Sequence, residues 1–294
     1  MSRIVYVNGH YRRYGEAGVH VEDRGLQFAD SVYEVIEVYN TQLIDPTRHL
    51  DRLERSMHEL SISPPMSRSA LSHIIEQTVR RNRVHNGIVY LQVTRGTAPR
   101  DFPINDKDLS PTLICIARAT SRSARDSIAA KGVSVVTVPD IRWGRCDIKT
   151  VMLLPAVLAK SSAHQAGASE AWLVDTDGWI TEGASSNAWI LNQDYELQTR
   201  SLSHALLPGI TRQTLIDVAG KTGIRVVEQA FNAEQAYTAK EAFYTSASAT
   251  IMPVVRIDEQ SIGSGTPGPI TLKLRQAFHH HAERIPANAR PAKY

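Results

Sequence analysis

Alternating and helical spacings of hydrophobic residues divide the chain into short strands and amphipathic helices. Runs rich in β-branched and aromatic residues predict strands at 4–7, 32–39, 87–94, 112–117, 133–138, 171–174, 187–191, 225–228 and 242–245. Helical spacing predicts helices over 46–60, 69–83, 150–166, 211–222 and 270–283. Because strands and helices alternate along the whole chain, we expect an α/β (α+β) fold.

A small, polar segment without hydrophobic period, residues 119–126, predicts an interdomain linker. It would separate a small N-terminal α/β domain, 1–118, from a larger C-terminal domain, 127–285, which would carry Lys149. The last residues, 286–294, are rich in Pro and Ala and are expected to be frayed. A chain of 294 residues is long enough for two modest domains.

Charge and composition exclude several classes of protein. The formal charge of +3 is spread along the chain, which argues against a nucleic-acid partner. No run approaches the ~20 apolar residues that span a bilayer, and no apolar signal core opens the chain, so we expect no membrane association and a cytoplasmic protein. Cys115 and Cys146 suit a reducing compartment. Three adjacent histidines, 279–281, point in different directions on a helix, so no metal site is expected.

Lys149 is the first candidate for chemistry. It lies between a strand-like segment and the apolar run 151–158, with Arg142 and Arg145 nearby in sequence. Apolar surroundings and neighbouring positive charge would favour the neutral amine that Schiff-base chemistry needs. A lysine that extends from a helix start into solvent is the structural alternative.

Five further segments carry candidate groups. Glu182 is the one carboxylate of a small, hydroxyl-rich loop, 181–187, and suits a cationic heterocycle, although a solvated turn would look the same. The turns 207–212 and 245–250 could bind a phosphate through backbone N–H groups, as many ordinary helix caps could. Arg52 could bind phosphate and Arg100 a carboxylate, and either could equally be a surface arginine.

In this order the segments resemble the fold-type IV pyridoxal-phosphate enzymes, and among them most closely the D-amino-acid transaminases. The resemblance runs from about residue 5 to about residue 280. The stretches that carry it are 22–25 (EDRG), 28–35 (FADSVYEV), 49–53 (HLDRL), 92–96 (QVTRG), 145–149 (RCDIK), 181–187 (TEGASSN), 209–212 (GITR) and 245–246 (TS).

The resemblance implies a role for each candidate residue around pyridoxal 5'-phosphate in an interdomain cleft. Lys149 would hold the cofactor as a Schiff base and move the proton between the substrate Cα and the cofactor C4'. Glu182 would pair with the pyridine nitrogen, and Leu207 would pack on the ring face. The implied phosphate ligands are Arg52, Ile210, Thr211 and the turn at Ser246 and Ala247, where Ala247 replaces a threonine common in the family. Tyr33 and Arg100 would bind the substrate's α-carboxylate.

One departure from the family pattern affects the expected substrate. D-amino-acid transaminases usually have an Arg-x-His pair in the carboxylate site, whereas here Arg100 is followed by Asp101 and Phe102. The substrate would then be a D-amino acid held by Arg100 alone, or an (R)-amine accepted as a side activity.

The expected activity is therefore a ping-pong transamination between a D-amino acid of the D-alanine or D-glutamate type and a 2-keto acid, in a homodimer. Two relatives of the same fold are the alternatives, a branched-chain L-amino-acid transaminase and an aminodeoxychorismate lyase. From another class, a non-catalytic protein could bind a nucleotide phosphate at the two turns without using Lys149.

Overall fold

The computed structural model describes residues 3–104 and 109–287, which form two compact units. The first contains residues 3–122 apart from the gap, together with 148–152 and 283–287. The second contains residues 123–147 and 153–282. In the described ranges, no helix is both long and apolar enough to cross a membrane.

The first unit is built on an antiparallel sheet. Its strands are β1 (Ile4–Val7), β2 (His10–Arg13), β3 (Ser31–Tyr39), β4 (Gln42–Ile44), β5 (Gly87–Thr94), β6 (Thr112–Ala119) and β16 (Arg284–Pro286), in the order β16-β4-β3-β5-β6-β1-β2. Its helices are α1 (Arg24–Phe28), α2 (Pro46–Glu59) and α3 (Arg68–Arg81).

One face of this sheet forms the core of the first unit. Alternate residues of β3 and β5, such as Val32, Ile36 and Leu91, are fully buried. The apolar residues of α2 and α3, including Leu53 and Ile75, are buried as well. The opposite face carries the half-buried side chains Tyr33, Val35, Tyr90, Gln92, Ile114 and Ile116. This alternation is what period-2 strands with one packed face require.

The second unit contains a mixed sheet. Its strands are β7 (Val133–Pro139), β8 (Glu170–Val174), β9 (Ile180–Gly183), β10 (Asn187–Leu191), β11 (Leu197–Thr199), β12 (Val226–Glu228), β13 (Glu241–Ser246), β14 (Thr250–Ile257) and β15 (Gln260–Ser261). The order is β12-β11-β10-β13-β14-β7-β8-β9, with β15 on β14. Its helices are α4 (Arg122–Lys131), α5 (Leu154–Gln165), α6 (Ile210–Lys221), α7 (Ala233–Tyr237) and α8 (Pro269–His281). Large aromatic side chains fill its core, among them Trp172, Trp189, Phe231 and Phe278.

Most predicted elements are present within a few residues, and the mixed α/β class is confirmed. Four differences concern the predicted boundaries and the placement of Lys149. The predicted linker 119–126 is not irregular, because β6 extends to Ala119 and α4 begins at Arg122. The helix predicted from 150 begins only at Leu154, where Pro155 occupies the first turn that tolerates it.

The third difference is the placement of Lys149. The chain returns to the first unit for residues 148–152, so Lys149 belongs to that unit and not to the larger one. The predicted tail also begins later than 286: Pro286 is part of β16, which pairs with β4, and Ala287 is buried. The remainder of the predicted tail, 288–294, lies outside the described residues.

Candidate active site

Lys149 is held by its backbone against strand β3. Its carbonyl accepts a hydrogen bond from the Tyr33 N–H at 2.9 Å, and the N–H of Val151 donates to the Ser31 carbonyl at 3.1 Å. The Lys149 N–H donates to Ser56 Oγ at 3.4 Å. This pairing fixes the backbone on both sides of the side chain, although 148–152 is not a strand.

The amine of Lys149 lies on an aromatic surface. Its Nζ is 4.3 Å from the centroid of the Tyr33 ring, and that ring stacks on Tyr90 with centroids 5.6 Å apart. Burial, with the neighbouring Tyr33 hydroxyl, raises the pKa of Tyr90 to about 12. The Tyr90 phenol is therefore protonated and donates to Gln92 Oε1 at 2.9 Å. Lys149 thus contributes a primary amine beside the stacked rings of Tyr33 and Tyr90.

Arg52 lies on α2 and is bound to a carboxylate on the buried face of β3. Its Nε and Nη2 donate to the two oxygens of Glu34 at 2.7 and 2.9 Å, and His49 Nδ1 lies 2.7 Å from Glu34 Oε2. Burial alone would raise the pKa of Glu34, but Arg52 and His49 hold it well below its usual range. The fork of Arg52 is thus fixed by an ionised carboxylate. Its role as a phosphate ligand stays a prediction.

Arg100 lies beyond the end of β5 and is exposed. Its guanidinium carbon is 5.3 Å from the centroid of the Phe28 ring, and Phe102 packs on the same ring with centroids 5.4 Å apart. The residues that follow, 105–108, which we expect to shape a substrate entrance, lie outside the described ranges.

Glu182, near the end of β9, is buried and accepts hydrogen bonds from Arg142, Leu207 and Asn187. Oε1 accepts from Arg142 Nη1 and from the Leu207 N–H at 3.1 Å, and Oε2 accepts from Asn187 Nδ2 at 2.9 Å. Arg142 in turn binds Asp140, with Nη2 and Oδ2 2.7 Å apart. Although burial opposes the charged form, Asp140 and Glu182 raise the pKa of Arg142 further, so its guanidinium stays charged. Arg145 is likewise paired, with Asp147.

The hydroxyl groups beside Glu182 have a structural role. Ser185 and Ser186 donate to one oxygen of the buried Glu170 at 2.8 and 3.1 Å, and this carboxylate also lies 3.3 Å from Lys160 Nζ. The predicted loop of small and hydroxyl residues is therefore fixed through Glu170, and its serines are used for this structural contact.

Leu207 and the start of α6 are linked to Glu182 through Asn187. Asn187 Nδ2 also donates to the Leu207 carbonyl at 3.0 Å. Gly209, the N-cap of α6, approaches Asn187 so closely that an added Cβ would lie 2.0 Å from Asn187 Oδ1. As a glycine it has no side chain to accept from the first-turn N–H groups, which include those of Ile210 and Thr211. An anion can bind there.

Ser246 is the last residue of β13, and Ala247 follows it in the tight turn that leads to β14. The Ser246 hydroxyl accepts from the Ala249 N–H at 3.2 Å and lies 3.4 Å from the Ser248 hydroxyl. The Ser246 hydroxyl therefore accepts a bond within its own turn, and the Ala247 N–H is one group that this turn could offer to a phosphate.

The structure divides the predicted site residues between the two units. Lys149, Tyr33, Arg52 and Arg100 belong to the first, and Lys149 and Tyr33 are in contact. The others, Glu182, Leu207, Ile210, Thr211, Ser246 and Ala247, belong to the second, and Glu182 and Leu207 are in contact.

Sequence reasoning missed four residues that hold these groups: Arg142, Asn187, Glu34 and His49. Arg142 follows Asp140 by two residues, a spacing that suggests a local ion pair but gives no sign of Glu182. Glu34, His49 and Asn187 all lie within stretches that carry the family resemblance, which was the available signal.

Comparisons with known proteins show the family to which the chain belongs. The family model of the class IV aminotransferases matches residues 31–257. D-alanine aminotransferase from Listeria monocytogenes is 40% identical over 93% of this chain and 94% of its own. The Bacillus licheniformis enzyme of the same name is 37% identical over 94% of this chain and 96% of its own.

Solved structures extend the likeness to the fold. The branched-chain amino-acid aminotransferase from Escherichia coli superposes with a TM-score of 0.85 at 25% identity, over 98% of this chain and all of that chain. The T.th. branched-chain enzyme in complex with N-(5'-phosphopyridoxyl)-L-glutamate has a TM-score of 0.84 at 26% identity, over 95% and 94% of the two chains. This chain belongs to the class IV aminotransferases, and the predicted family is confirmed.

The residues of this chain fit pyridoxal 5'-phosphate. Glu182 is a buried carboxylate that can face a protonated pyridine nitrogen. The Gly209 cap leaves backbone donors at the start of α6 for a phosphate. Lys149 offers a primary amine beside an aromatic face. Each unit thus supplies functional groups that the cofactor requires.

Proposed function

We propose that this aminotransferase moves the amino group of a D-amino acid, of the D-alanine or D-glutamate type, to a 2-keto acid such as pyruvate or 2-oxoglutarate. The observation that carries the proposal is the Lys149 amine on the Tyr33 ring, in a chain 40% identical to a D-alanine aminotransferase over nearly its whole length.

The enzyme uses pyridoxal 5'-phosphate, which when bound withdraws electrons from the donor's Cα and stores the amino group between the two half-reactions. Lys149 Nζ would hold the cofactor covalently until the amino donor displaces it. The freed Lys149 amine would then take the proton from the donor's Cα and deliver it to the cofactor's C4'. Glu182 keeps the pyridine nitrogen protonated, because its carboxylate stays in place between Arg142 and Asn187.

The remaining predicted residues bind and orient. Arg52, held by Glu34, and the first-turn N–H groups of Ile210 and Thr211 bind the phosphate, and the turn at Ser246 and Ala247 adds a backbone donor. Leu207 packs on the cofactor ring. Tyr33 and Arg100 bind the α-carboxylate. Phe102 stands where relatives usually have a histidine and has no hydrogen-bond donor in its side chain, so Arg100 alone supplies the positive charge for the carboxylate.

A homodimer is part of the proposal. Helix α5 presents three apolar side chains to solvent in the single chain: Leu154, Val157 and Leu158 are 68%, 54% and 53% exposed. A contiguous exposed apolar helix face is typical of a protein interface. A cytoplasmic location is proposed as well, supported by Cys115 and Cys146, both free thiols.

The first experiment is a visible absorption spectrum of the purified protein before and after addition of D-alanine or L-leucine. We expect a yellow protein that bleaches with D-alanine. In Lys149→Ala the yellow band should be lost. Lys240→Ala is the matched control, because Lys240 Nζ also lies 4.3 Å from an aromatic centroid, that of Tyr195.

Other outcomes of this experiment, together with an assay of pyruvate release from aminodeoxychorismate, assign the alternatives. Bleaching with L-leucine but not D-alanine would favour the branched-chain activity of the solved neighbours. Pyruvate released from aminodeoxychorismate without an amino acceptor would indicate a lyase. A colourless protein that cannot be reconstituted, or a Lys149→Ala protein that binds its ligand unchanged, would contradict the proposal.

A further inference from the structure

Arg24, on the short helix α1, is a buried arginine outside the predicted site. It is 5% exposed. One edge of its guanidinium is fixed by Asp30, whose Oδ2 accepts from Arg24 Nε at 2.9 Å and also from Arg95 Nε at 2.7 Å. The Arg24 backbone N–H donates to the Gly96 carbonyl at 2.9 Å. The position of the guanidinium is thus set by side-chain and backbone bonds together.

The other edge of the same guanidinium holds the loop that follows Arg100. Nη1 donates to the Asp101 carbonyl at 2.7 Å and Nη2 to the Phe102 carbonyl at 3.3 Å. These carbonyls are the two that come directly after Arg100 in the chain. A planar guanidinium can bridge a carboxylate on one edge and two carbonyls on the other, whereas an ammonium group cannot.

Phe28, at the end of α1, completes the contact. Its ring packs on Phe102, and the guanidinium carbons of Arg24 and Arg100 lie 4.8 and 5.3 Å from its centroid. Helix α1 therefore contacts the loop at three successive residues, 100–102. Because Arg100 is exposed, these contacts are what restrict the directions its side chain can take.

We propose that Arg24 is a positioning residue for substrate binding: by holding the carbonyls of Asp101 and Phe102, it keeps Arg100 oriented toward the α-carboxylate. The inference rests on the proposed role of Arg100 and adds the residue that makes this role possible. Arg24 itself has its donors directed to Asp30 and the two carbonyls, so it acts through Arg100 and not on the substrate.

The test compares Arg24→Lys with Arg100→Gln and with Arg68→Lys as the matched control. Arg68 also bridges carboxylates, Asp51 and Glu54, and a backbone carbonyl, that of Thr47, but is partly exposed and remote from the loop in sequence. Three quantities are measured: the KM of D-alanine, the inhibition constant of propionate, and the rate of the colour change with methoxyamine. Propionate has a carboxylate without an amine, and methoxyamine an amine without a carboxylate.

We expect Arg24→Lys to raise the KM of D-alanine and the inhibition constant of propionate about tenfold each, as for loss of one well-aligned charged contact. Arg100→Gln should raise both at least as much. Methoxyamine should react with all variants at rates within about twofold of the wild type, because it has no carboxylate for Arg100 to bind. A general structural defect, in contrast, would slow this reaction as well. Arg68→Lys should match the wild type.

If thermal unfolding shows that the Arg24→Lys protein is not folded, Phe102→Ala replaces it in the test. Phe102 is largely exposed, so its removal leaves the fold intact but releases the loop from Phe28, and propionate should bind several-fold more weakly. The inference is overturned if Arg100→Gln weakens inhibition by propionate but Arg24→Lys and Phe102→Ala do not. The proposed function would still stand. Because propionate has no stereocentre, this readout is valid even if L-leucine proves to be the donor, an outcome that would overturn the proposed function alone.

Discussion

Arg142 and Glu182 form a part-buried ion pair across 40 residues of sequence, and Arg142 binds Asp140 with the same guanidinium. One cation thus fixes two carboxylates, one of which is the proposed partner of the pyridine nitrogen. The Leu207 N–H and the Asn187 amide also donate to Glu182. A carboxylate with this many donors to its charged form stays ionised, which is the state that a pyridinium partner must have.

Glu182→Gln should therefore slow catalysis while the protein still folds and binds its cofactor. The amide keeps the shape and can still accept from Leu207, but it lacks the negative charge. We expect the limiting rate of the D-alanine half-reaction to fall on the order of 10²-fold, the scale of one lost preorganised electrostatic contact. Stopped-flow absorbance measures it. Glu196→Gln, which removes a carboxylate paired with Arg225, should leave the rate unchanged. A Glu182→Gln rate close to that of the wild type would contradict the role of Glu182.

Gly209→Ala should weaken cofactor binding through Asn187. The new Cβ would lie 2.0 Å from Asn187 Oδ1, so the amide that holds Glu182 and Leu207 must move. Steric crowding of this kind costs about 1–3 kcal/mol of stability. Urea unfolding and a fluorescence titration with pyridoxal phosphate measure both effects.

Gly220→Ala is the matched control for this change, since Gly220 lies in the same helix and an added Cβ meets nothing within 4 Å. A helical Gly→Ala change without a clash should be neutral or stabilise by up to about 1 kcal/mol. Equal effects of the two substitutions would show that the close approach of Gly209 to Asn187 has no functional importance.

His49 should make stability fall on mild acidification. Burial lowers the pKa of His49, although Glu34 opposes the shift, so the folded ring stays neutral and donates from Nδ1 to Glu34. Below the unfolded-state pKa of about 6.5 the unfolded chain takes up a proton that the folded chain does not, and stability decreases. The pKa of Glu34 is lowered, so its contribution to stability is lost only below its unfolded-state pKa of about 4.3. The effects of His49 and Glu34 on stability therefore occur in different pH ranges.

The measurement is the urea midpoint at pH 7.5 and pH 5.5 for the wild type and His49→Gln, where Gln can still donate to Glu34. We expect the variant to lose about 1 kcal/mol less than the wild type over this range, since one pH unit of differential protonation is worth about 1.4 kcal/mol at most. His280→Gln, at an exposed position of α8, serves as the control. A pH dependence identical in His49→Gln and wild type would rule out a neutral buried His49.

The exposed face of α5 should be the dimer interface. Leu154 and Leu158 are four residues apart and lie on one side of the helix. Glutamate at both positions would place two charges in an apolar contact, so we expect light scattering to show a change from twice the chain mass to the 32.6 kDa of one chain. Leu202→Glu, at a leucine that is 48% exposed, should stay dimeric. A wild type of single-chain mass would contradict the homodimer.

Local pattern predicted much of the secondary structure because hydrophobic period is a property of neighbouring residues. Strand β5 and strand β10 were predicted with their observed bounds, and helix α2 to within one residue. Helix α4 was missed because among its residues only Ala129 is buried, so it has no apolar stripe to recognise. The apolar run 151–158 predicted apolar surroundings for Lys149, but Leu154 and Leu158 of this run are exposed in the single chain.

The sequence by itself determined which residues could do the chemistry, because Lys149, Glu182 and the GITR turn are identified by residue type and order. The tertiary structure decided what holds them. Lys149 joins the first unit through backbone bonds to β3, Arg52 is fixed by Glu34, and Glu182 by Arg142. These partners are 18 to more than 100 residues apart in sequence, and only the path of the folded chain, set by sheet order and core packing, brings each pair within hydrogen-bond distance.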